Sequence, residues 1–291
     1  MIITRLIGGL GNQMFQYAAG KALACRHGVE VKVDLSELNK QAGGQYTQRH
    51  YELGMFDSGI QVATENELRN FTGGDRSRLR RELQRRLPFL FHTLCAVESG
   101  AAYHPQFESY PRNTLLQGFW QSERYFRDYE REIRNDFRFR SNVVEATRSL
   151  RETIASCEAV SLHVRRGDYV SNPSANQFHG LCPPSYYEAA VRHLAASHPD
   201  IRLFIFSDDI AWCRENLSFS QSVQFMETGS PYQDLYLMSQ CRHNIIANSS
   251  FSWWGAWLNA HAGKIVVAPQ QWFQDPSVNT SDIIPASWIR L

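Results

Sequence analysis

His163-Val164-Arg165-Arg166-Gly167-Asp168-Tyr169 brings an imidazole, two guanidiniums and a carboxylate together directly after the apolar run Ala159 to Leu162. That run reads as a buried strand, so the charges emerge at its carboxyl end, where open α/β sheets bind ligands. Two adjacent guanidiniums in a low-dielectric crevice require an anionic partner, because an unpaired buried charge is too costly to keep. A phosphate meets that requirement. A structural ion pair from Arg165 or Arg166 to Asp168 meets it as well, and the string alone does not choose between them.

Four further groups carry chemistry. Gly8-Gly9-Leu10-Gly11-Asn12-Gln13 lies between a strand pattern and a helix pattern, the position of a dinucleotide phosphate loop, but Met14 stands where that fingerprint needs a glycine. What remains is a turn that lets a ligand approach backbone, with two neutral amides at a helix start; a tight turn capped by Asn12 explains it equally. Ser207-Asp208-Asp209 ends another apolar strand, where it can meet a metal, a ribose or a sugar hydroxyl, or cap the next helix. No third carboxylate or histidine is adjacent, so metal binding is not supported. Asn248-Ser249-Ser250-Phe251-Ser252-Trp253-Trp254 follows a strand and opens a helix, so first-turn N–H groups and serine hydroxyls form a phosphate cradle, while the tryptophans read as core. Asp234, at the start of an apolar helix, either caps it or accepts the N1–H and N2–H of a guanine.

The elements that position these groups follow from periodicity. Residues 1 to 7 form a strand pattern, a helix runs to about His27, Gly28 stops it, and Val29 to Asp34 form the next strand. The middle is less regular: Gln41 to Gln48 reads as a loop, and Arg76 to Leu94 as a basic helix with Leu79, Leu83, Leu87 and Leu90 on one face. Its arginines, Arg76, Arg78, Arg80, Arg81, Arg85 and Arg86, suit either solvent or an anionic lipid surface. Strand patterns at Ala159 to Val164, Ile201 to Ser207, Val223 to Met226, Asn244 to Ala247 and Lys264 to Ala268 alternate with helices beginning near Pro184, Ile210, Gln233 and Ser250. Such alternation predicts a mostly parallel, doubly wound sheet. The polar stretch Arg140 to Ser156 places a domain boundary near residue 150.

Composition narrows the class. With 291 residues, 43% of them hydrophobic, the chain can build two cores of ordinary domain size. A net charge of +1 argues against wholesale nucleic-acid binding, so any anion site is local. All basic residues except Lys21, Lys32, Lys40 and Lys264 are arginine, which suits bidentate phosphate recognition. Six cysteines without metal-site spacing read as free thiols of a reducing compartment. The segment Met1 to Ile7, broken by Arg5, is too short and polar for a signal peptide, and no later run approaches a membrane span. These features predict a cytoplasmic protein, with the inner face of the membrane as its nearest surface.

Taken together, Gly8 to Tyr17, His163 to Asp168 and Asn248 to Leu258 resemble the α-1,2-fucosyltransferases of glycosyltransferase family 11, the bacterial O-antigen and blood-group H enzymes. His163-Val164-Arg165 and the helix at Asp234-Leu235-Tyr236 are more remotely similar to the protein O-fucosyltransferases. The resemblance implies an α/β GT-B fold of two Rossmann-like, doubly wound domains facing a cleft. An acceptor-side domain would span residues 1 to 150, and a GDP-fucose-binding domain residues 151 to 291. It implies inverting transfer of L-fucose from GDP-β-L-fucose to the 2-hydroxyl of a terminal β-galactoside, forming an α-1,2 linkage in an O-antigen-like glycan. No metal or other cofactor is implied. The partners would be GDP-fucose and a β-galactoside acceptor, including one carried on a lipid at the membrane.

Carried over by motif, Arg165 would contact the β-phosphate and His163 the ribose or adjacent phosphate. Asp234 would read guanine, Ser249, Ser250 and Phe251 would line the diphosphate, and Asn12 would approach donor or acceptor from the facing domain. Asp168 stands near the reaction by position, either orienting an arginine or taking part in proton transfer, and no motif displays an unambiguous general base. Transfer of another GDP-linked sugar is the neighbouring alternative. A noncatalytic carbohydrate-binding protein would leave the arginine pair and the serine-rich helix start unexplained.

Overall fold

A computed structural model describes residues 1–40, 49–72, 86 and 94–291. The chain divides into two compact units, Met1–Arg138 with Asn279–Ile283, and Phe139–Val278 with Ile284–Leu291. The division therefore falls earlier than the boundary expected near residue 150. Its cause lies in the polar stretch after Arg140, which is folded as helices Ser141–Ala146 and Arg148–Ala155, each burying one aliphatic residue, Val143 and Ile154. Both helices pack on the helix Pro231–Gln240, and Phe139 meets Tyr236 edge-on at 5.1 Å, so this segment belongs to the second core. Asn279–Ile283 joins the first unit through Asp282, which accepts the Tyr103 N–H at 3.0 Å and pairs with Arg124 at 2.7 Å.

The first unit holds a parallel sheet of β1 (Ile2–Arg5), β2 (Val31–Asp34), β3 (Gln61–Val62), β4 (Leu94–Val97) and β5 (Thr114–Gln117), in the order β3-β2-β1-β5-β4. Its first helix is Leu10–His27, buried along most of its length. Gly28 closes that helix with φ 60°, a left-handed conformation that glycine adopts without steric cost, and returns its N–H to Ala24 and Cys25. At the other end Gly9, not Asn12, is the N-cap, because the helix begins at Leu10 and Asn12 lies within its first turn. Leu94 opens β4 rather than ending a helix; of the expected basic helix, Arg86 is helical and the remaining arginines lie outside the described residues. The loop expected at Gln41 to Gln48 lies outside them as well.

The second unit holds β6 (Glu158–Val164), β7 (Ile201–Ser207), β8 (Ser222–Phe225), β9 (His243–Ile245), β10 (Val266–Ala268) and β11 (Ile289–Arg290), again all parallel. The order β11-β10-β9-β6-β7-β8 starts at the centre and winds outward in both directions, as the strand and helix alternation requires. Val160, Leu162 and Val164 of β6 share one core with Leu203, Ile205, Tyr186, Tyr187 and Leu194. By the two-residue period of a strand, Ser161 and His163 point to the opposite face. Trp253, Trp254 and Trp257 of the helix Ser250–Leu258 are buried, Trp253 and Trp257 with parallel rings and Trp254 edge-on to both, so they are core. Among the described residues no helix is long and apolar enough to cross a membrane.

Candidate active site

In the second unit the winding reverses between β6 and β9, and a crevice outside their carboxyl ends is where such sheets take ligands. The β6 end supplies His163, Arg165 and Arg166; the β9 end leads through Asn248 and Ser249 into the helix Ser250–Leu258. The two sides meet where the His163 ring lies 5.6 Å from that of Phe251. His163 is 5% exposed, and its Nδ1 has no hydrogen-bond partner among the described residues. Burial pushes its pKa down to about 4, Arg165 adds to the fall and Asp208 opposes it, so the ring is neutral near pH 7.

Neighbouring parallel strands explain how the arginines are held. Val164 of β6 is in register with Ser207 of β7, which sets Asp208 and Asp209 beside Arg165 and Arg166. Arg165 Nη1 meets Asp208 Oδ2 at 2.7 Å, and its guanidinium lies 5.5 Å from the Tyr169 ring. Arg166 Nε meets Asp209 Oδ2 at 3.0 Å and lies over Trp212 at 3.9 Å, while its backbone N–H donates to Asp208 Oδ1 at 2.8 Å. Asp209 also caps the helix Ile210–Asn216 through Trp212 N. Asp208 was considered from the sequence as a metal, ribose or capping residue; its position as the Arg165 partner emerges only once β6 and β7 are known to be adjacent. Asp168 lies in the short helix Gly167–Ser171 that follows the arginine pair.

Ser249 is the N-cap of the helix Ser250–Leu258, is buried, and makes no capping hydrogen bond with its side chain. That leaves a hydroxyl at the positive end of a helix whose Phe251 packs against the neutral His163. Asp234 stands in the first turn of the helix Pro231–Gln240, where Ser230 already caps. It hydrogen-bonds within its own loop, to Thr228 Oγ1 at 2.7 Å, and burial pushes its pKa up to about 6 against the pull of that hydroxyl. The structure thus joins His163, Arg165, Asp208 and Phe251 by contact and sets Ser249 and Asp234 at the same sheet edge. On the far side of Asn248 a cavity of about 340 Å³ is lined by His179, Cys182, Tyr186, Gln270 and Gln274.

Asn12 belongs to the first unit. Its Oδ1 accepts from Gln121 Nε2 at 2.7 Å. The neighbouring Gln13 amide is used internally, donating to Gly8 O and His50 O and accepting from Glu52 N. The Glu52 carboxylate itself takes the Leu10 N–H. The Gln13 amide and the Leu10 N–H of the glycine turn are therefore satisfied by protein groups.

One trio of potential metal ligands occurs among the described residues, Glu158, His198 and His243, at the amino end of the second sheet. His243 Nδ1 accepts the Ile265 N–H at 2.9 Å, which leaves the proton on Nε2, directed at Glu158 Oε1, while Arg242 occupies Oε2. Glu158 thus has Arg242 as its ion pair and the two imidazoles as close polar neighbours, so its carboxylate is satisfied by protein groups.

The family model for glycosyl transferase family 11 matches residues 101–291, which contain every strand of this crevice. The chain belongs to glycosyl transferase family 11. Over its full length this family 11 chain is 34% identical to an α-1,2-colitosyltransferase of Escherichia coli, covering 99% of that protein. It is 33% identical to the O-antigen biosynthesis glycosyltransferase WbnK of the same species, over 98% of this chain and 99% of that one. A galactoside 2-alpha-L-fucosyltransferase of Bos taurus shares 38% identity over 34% of this chain and 28% of its own. Among solved structures, Arabidopsis thaliana FUT1 in complex with GDP aligns at TM-score 0.55 with 11% identity, over 91% of this chain and 69% of that chain. NodZ α-1,6-fucosyltransferase soaked with GDP-fucose aligns at 0.50 with 15% identity, over 88% and 91%. At such identities the likeness is one of fold, two-sheet α/β. The family 11 chain is a glycosyltransferase.

Proposed function

We propose that this glycosyltransferase moves L-fucose, or its 3-deoxy analogue colitose, from a GDP-linked donor to the 2-hydroxyl of a terminal β-galactoside in an O-antigen-like glycan. One observation carries the proposal: Arg165, held by Asp208 at 2.7 Å, follows the β6 end at the switch point, where His163 of the same strand meets Phe251 in the first turn of the helix Ser250–Leu258. Rupture of the bond between the sugar C1 and the β-phosphate oxygen leaves the electron pair, and negative charge, on GDP. Fixed donors aimed at that oxygen lower the barrier. Arg165, the Ser249 and Ser250 hydroxyls and the first-turn N–H groups supply them, with no divalent ion in the scheme. The acceptor hydroxyl oxygen attacks C1 from the opposite face and gives up its proton to water, which inverts a β-linked donor into an α-glycoside.

The neutral His163 offers its Nδ1 to a ribose hydroxyl or a phosphate oxygen, and Phe251 packs against it. Asp234, when ionised, accepts N1–H and N2–H of guanine. We assign the donor to the second unit and the acceptor to the first, the division of labour of a GT-B enzyme, with Asn12 reaching toward the reacting sugars. Asp168, three residues after Arg165 in sequence, is assigned to orienting the cationic end of β6.

The full-length likeness to a colitosyltransferase favours the second donor as a specific alternative. Incubation with GDP-fucose and GDP-colitose separately, each with a panel of β-galactosides, followed by linkage determination, tests both readings. An α-1,2 product from either donor in the presence of a chelator is the expected result. Transfer abolished by the chelator, or a product linked at another hydroxyl, contradicts it. Exclusive use of GDP-fucose would place a donor for the sugar 3-hydroxyl in the site, since pockets built to bond a hydroxyl reject the analogue lacking it.

A further inference from the structure

In the first sheet the winding reverses between β1 and β5, so the crevice there lies between the Gly8-Gly9 turn and the residues after Gln117. Those residues are held tightly. The Glu98 carboxylate, following β4, accepts the N–H groups of Phe119 at 2.6 Å and Trp120 at 3.0 Å. Gln16 Nε2 donates to Gly118 O at 3.1 Å. A Cβ at Gly118 would collide with Glu98, so only glycine lets the carboxylate sit that close. Trp120 has φ 54°, a left-handed conformation that a bulky residue rarely adopts, and among the described residues it is the sole non-glycine with positive φ. Its indole is fully buried in a cage of Phe107, Tyr110 and Tyr125.

The consequence is a loop with one outward side chain. Gly118 has none, Trp120 is anchored inward, Gln121 is bonded to Asn12, and Phe119 stands 45% exposed. A backbone conformation this uncommon, secured by a buried aromatic and a carboxylate, points to a required ring position. A Phe on fixed backbone has only two side-chain torsions to order on binding. Two residues on in the same loop, the neutral Gln121 amide is bonded to that of Asn12.

We propose that Phe119 is the stacking platform for the acceptor's terminal pyranose, with the Asn12 and Gln121 amides contacting its hydroxyls. A galactopyranose presents the C–H bonds of C3, C4 and C5 on one face, an apolar patch that lies flat on an aromatic ring, and hydroxyls at its rim. Neutral amides next to one exposed ring select such an uncharged polyol over an anion or an apolar chain. This role rests on the transfer reaction proposed above, and it is tested without turnover.

Lactose binding to the full chain, measured by saturation-transfer NMR in the absence of donor, is compared for wild type, Phe119→Ala and Phe119→Tyr. The expected result is binding by wild type, affinity lowered about tenfold or lost in Phe119→Ala, and affinity retained in Phe119→Tyr, which keeps the ring. GDP affinity should be the same in all three. No lactose binding by wild type, or equal binding by Phe119→Ala, overturns the proposal. Lactose binding that depends on Phe119 in a protein that transfers neither fucose nor colitose sustains the platform and refutes the proposed reaction instead.

Discussion

Asp208 grips Arg165 and the Arg166 backbone with its two oxygens, at 2.7 and 2.8 Å. One carboxylate thereby fixes both the guanidinium and the peptide that carries the next one. In the proposed reaction Arg165 is a donor to the departing phosphate, so Arg165→Ala should lower kcat about 10²- to 10³-fold. Asp208→Asn, which only loosens that donor, should cost about 10- to 100-fold with GDP still bound. Arg166→Ala should instead destabilise by about 1 kcal/mol, through the Trp212 stack and the Asp209 pair, and spare GDP affinity. Steady-state kinetics beside urea denaturation separates the roles; an Asp208→Asn enzyme with undiminished kcat would remove its positioning role.

Ser249 should behave unlike an ordinary N-cap. Ser→Ala at a cap usually costs about 1 kcal/mol because a hydrogen bond is lost. Here the side chain makes none, so Ser249→Ala should leave the unfolding midpoint nearly unchanged while weakening GDP about tenfold. Thermal melts and calorimetric titration check the two halves.

GDP affinity should carry a pH signature from Asp234. Its carboxyl, raised to about 6 by burial, loses its charge as the pH falls through that value, and a protonated acid cannot accept both guanine N–H groups. The dissociation constant should therefore be level above about pH 7 and climb up to tenfold per pH unit below about pH 6. The terminal phosphate of GDP titrates in the same range, so Asp234→Asn supplies the baseline. A wild-type profile parallel to that variant's contradicts the guanine contact.

Glu98 predicts a second pH effect, on stability. Burial raises its carboxyl to about 7 although two backbone N–H groups pull it down. The folded state thus holds its proton more tightly than the unfolded one. That contribution is complete below the ordinary carboxylate range and is lost as the pH rises through about 7. Glu98→Gln should remove this component from the pH dependence of the melting temperature; an unaltered profile would show that Glu98 is not its source.

Gly255 marks where the helices Pro231–Gln240 and Ser250–Leu258 touch. An added Cβ would lie 3.0 Å from Met238 Cβ. Gly255→Ala should cost about 1 to 3 kcal/mol through overpacking despite better helix propensity. Denaturant titration that finds it neutral or stabilising would show that the helices can part without cost.

The second unit is legible because central parallel strands are buried on both faces and therefore read as continuous apolar runs, as Leu203 to Phe206 does. The helix starts at Pro184, Ile210 and Ser250 stood where expected. In the first unit β3 has two residues and β4 and β5 four each, too few to show a period. The boundary was misplaced because short helices that bury one residue each look like linker. Partnerships were harder still. Asn12 appeared to be a cap until Gln121, 109 residues away, claimed its oxygen. Asp208 became an arginine's partner only through strand order, which periodicity does not contain.

Asn279–Ile283 has a consequence for how this molecule can be rearranged. The chain passes the division at three points, after residues 138, 278 and 283, so neither unit is a severable module. A fragment ending at Arg138 would leave Arg124 and the Tyr103 N–H without the Asp282 carboxylate. Recombination that exchanges the first 138 residues between relatives at a single crossover would inherit the same defect. Viable chimeras must therefore carry the loop around Asp282 along with the first 138 residues, so that segment is expected to co-vary with Tyr103 and Arg124 rather than with the strands that flank it in the chain.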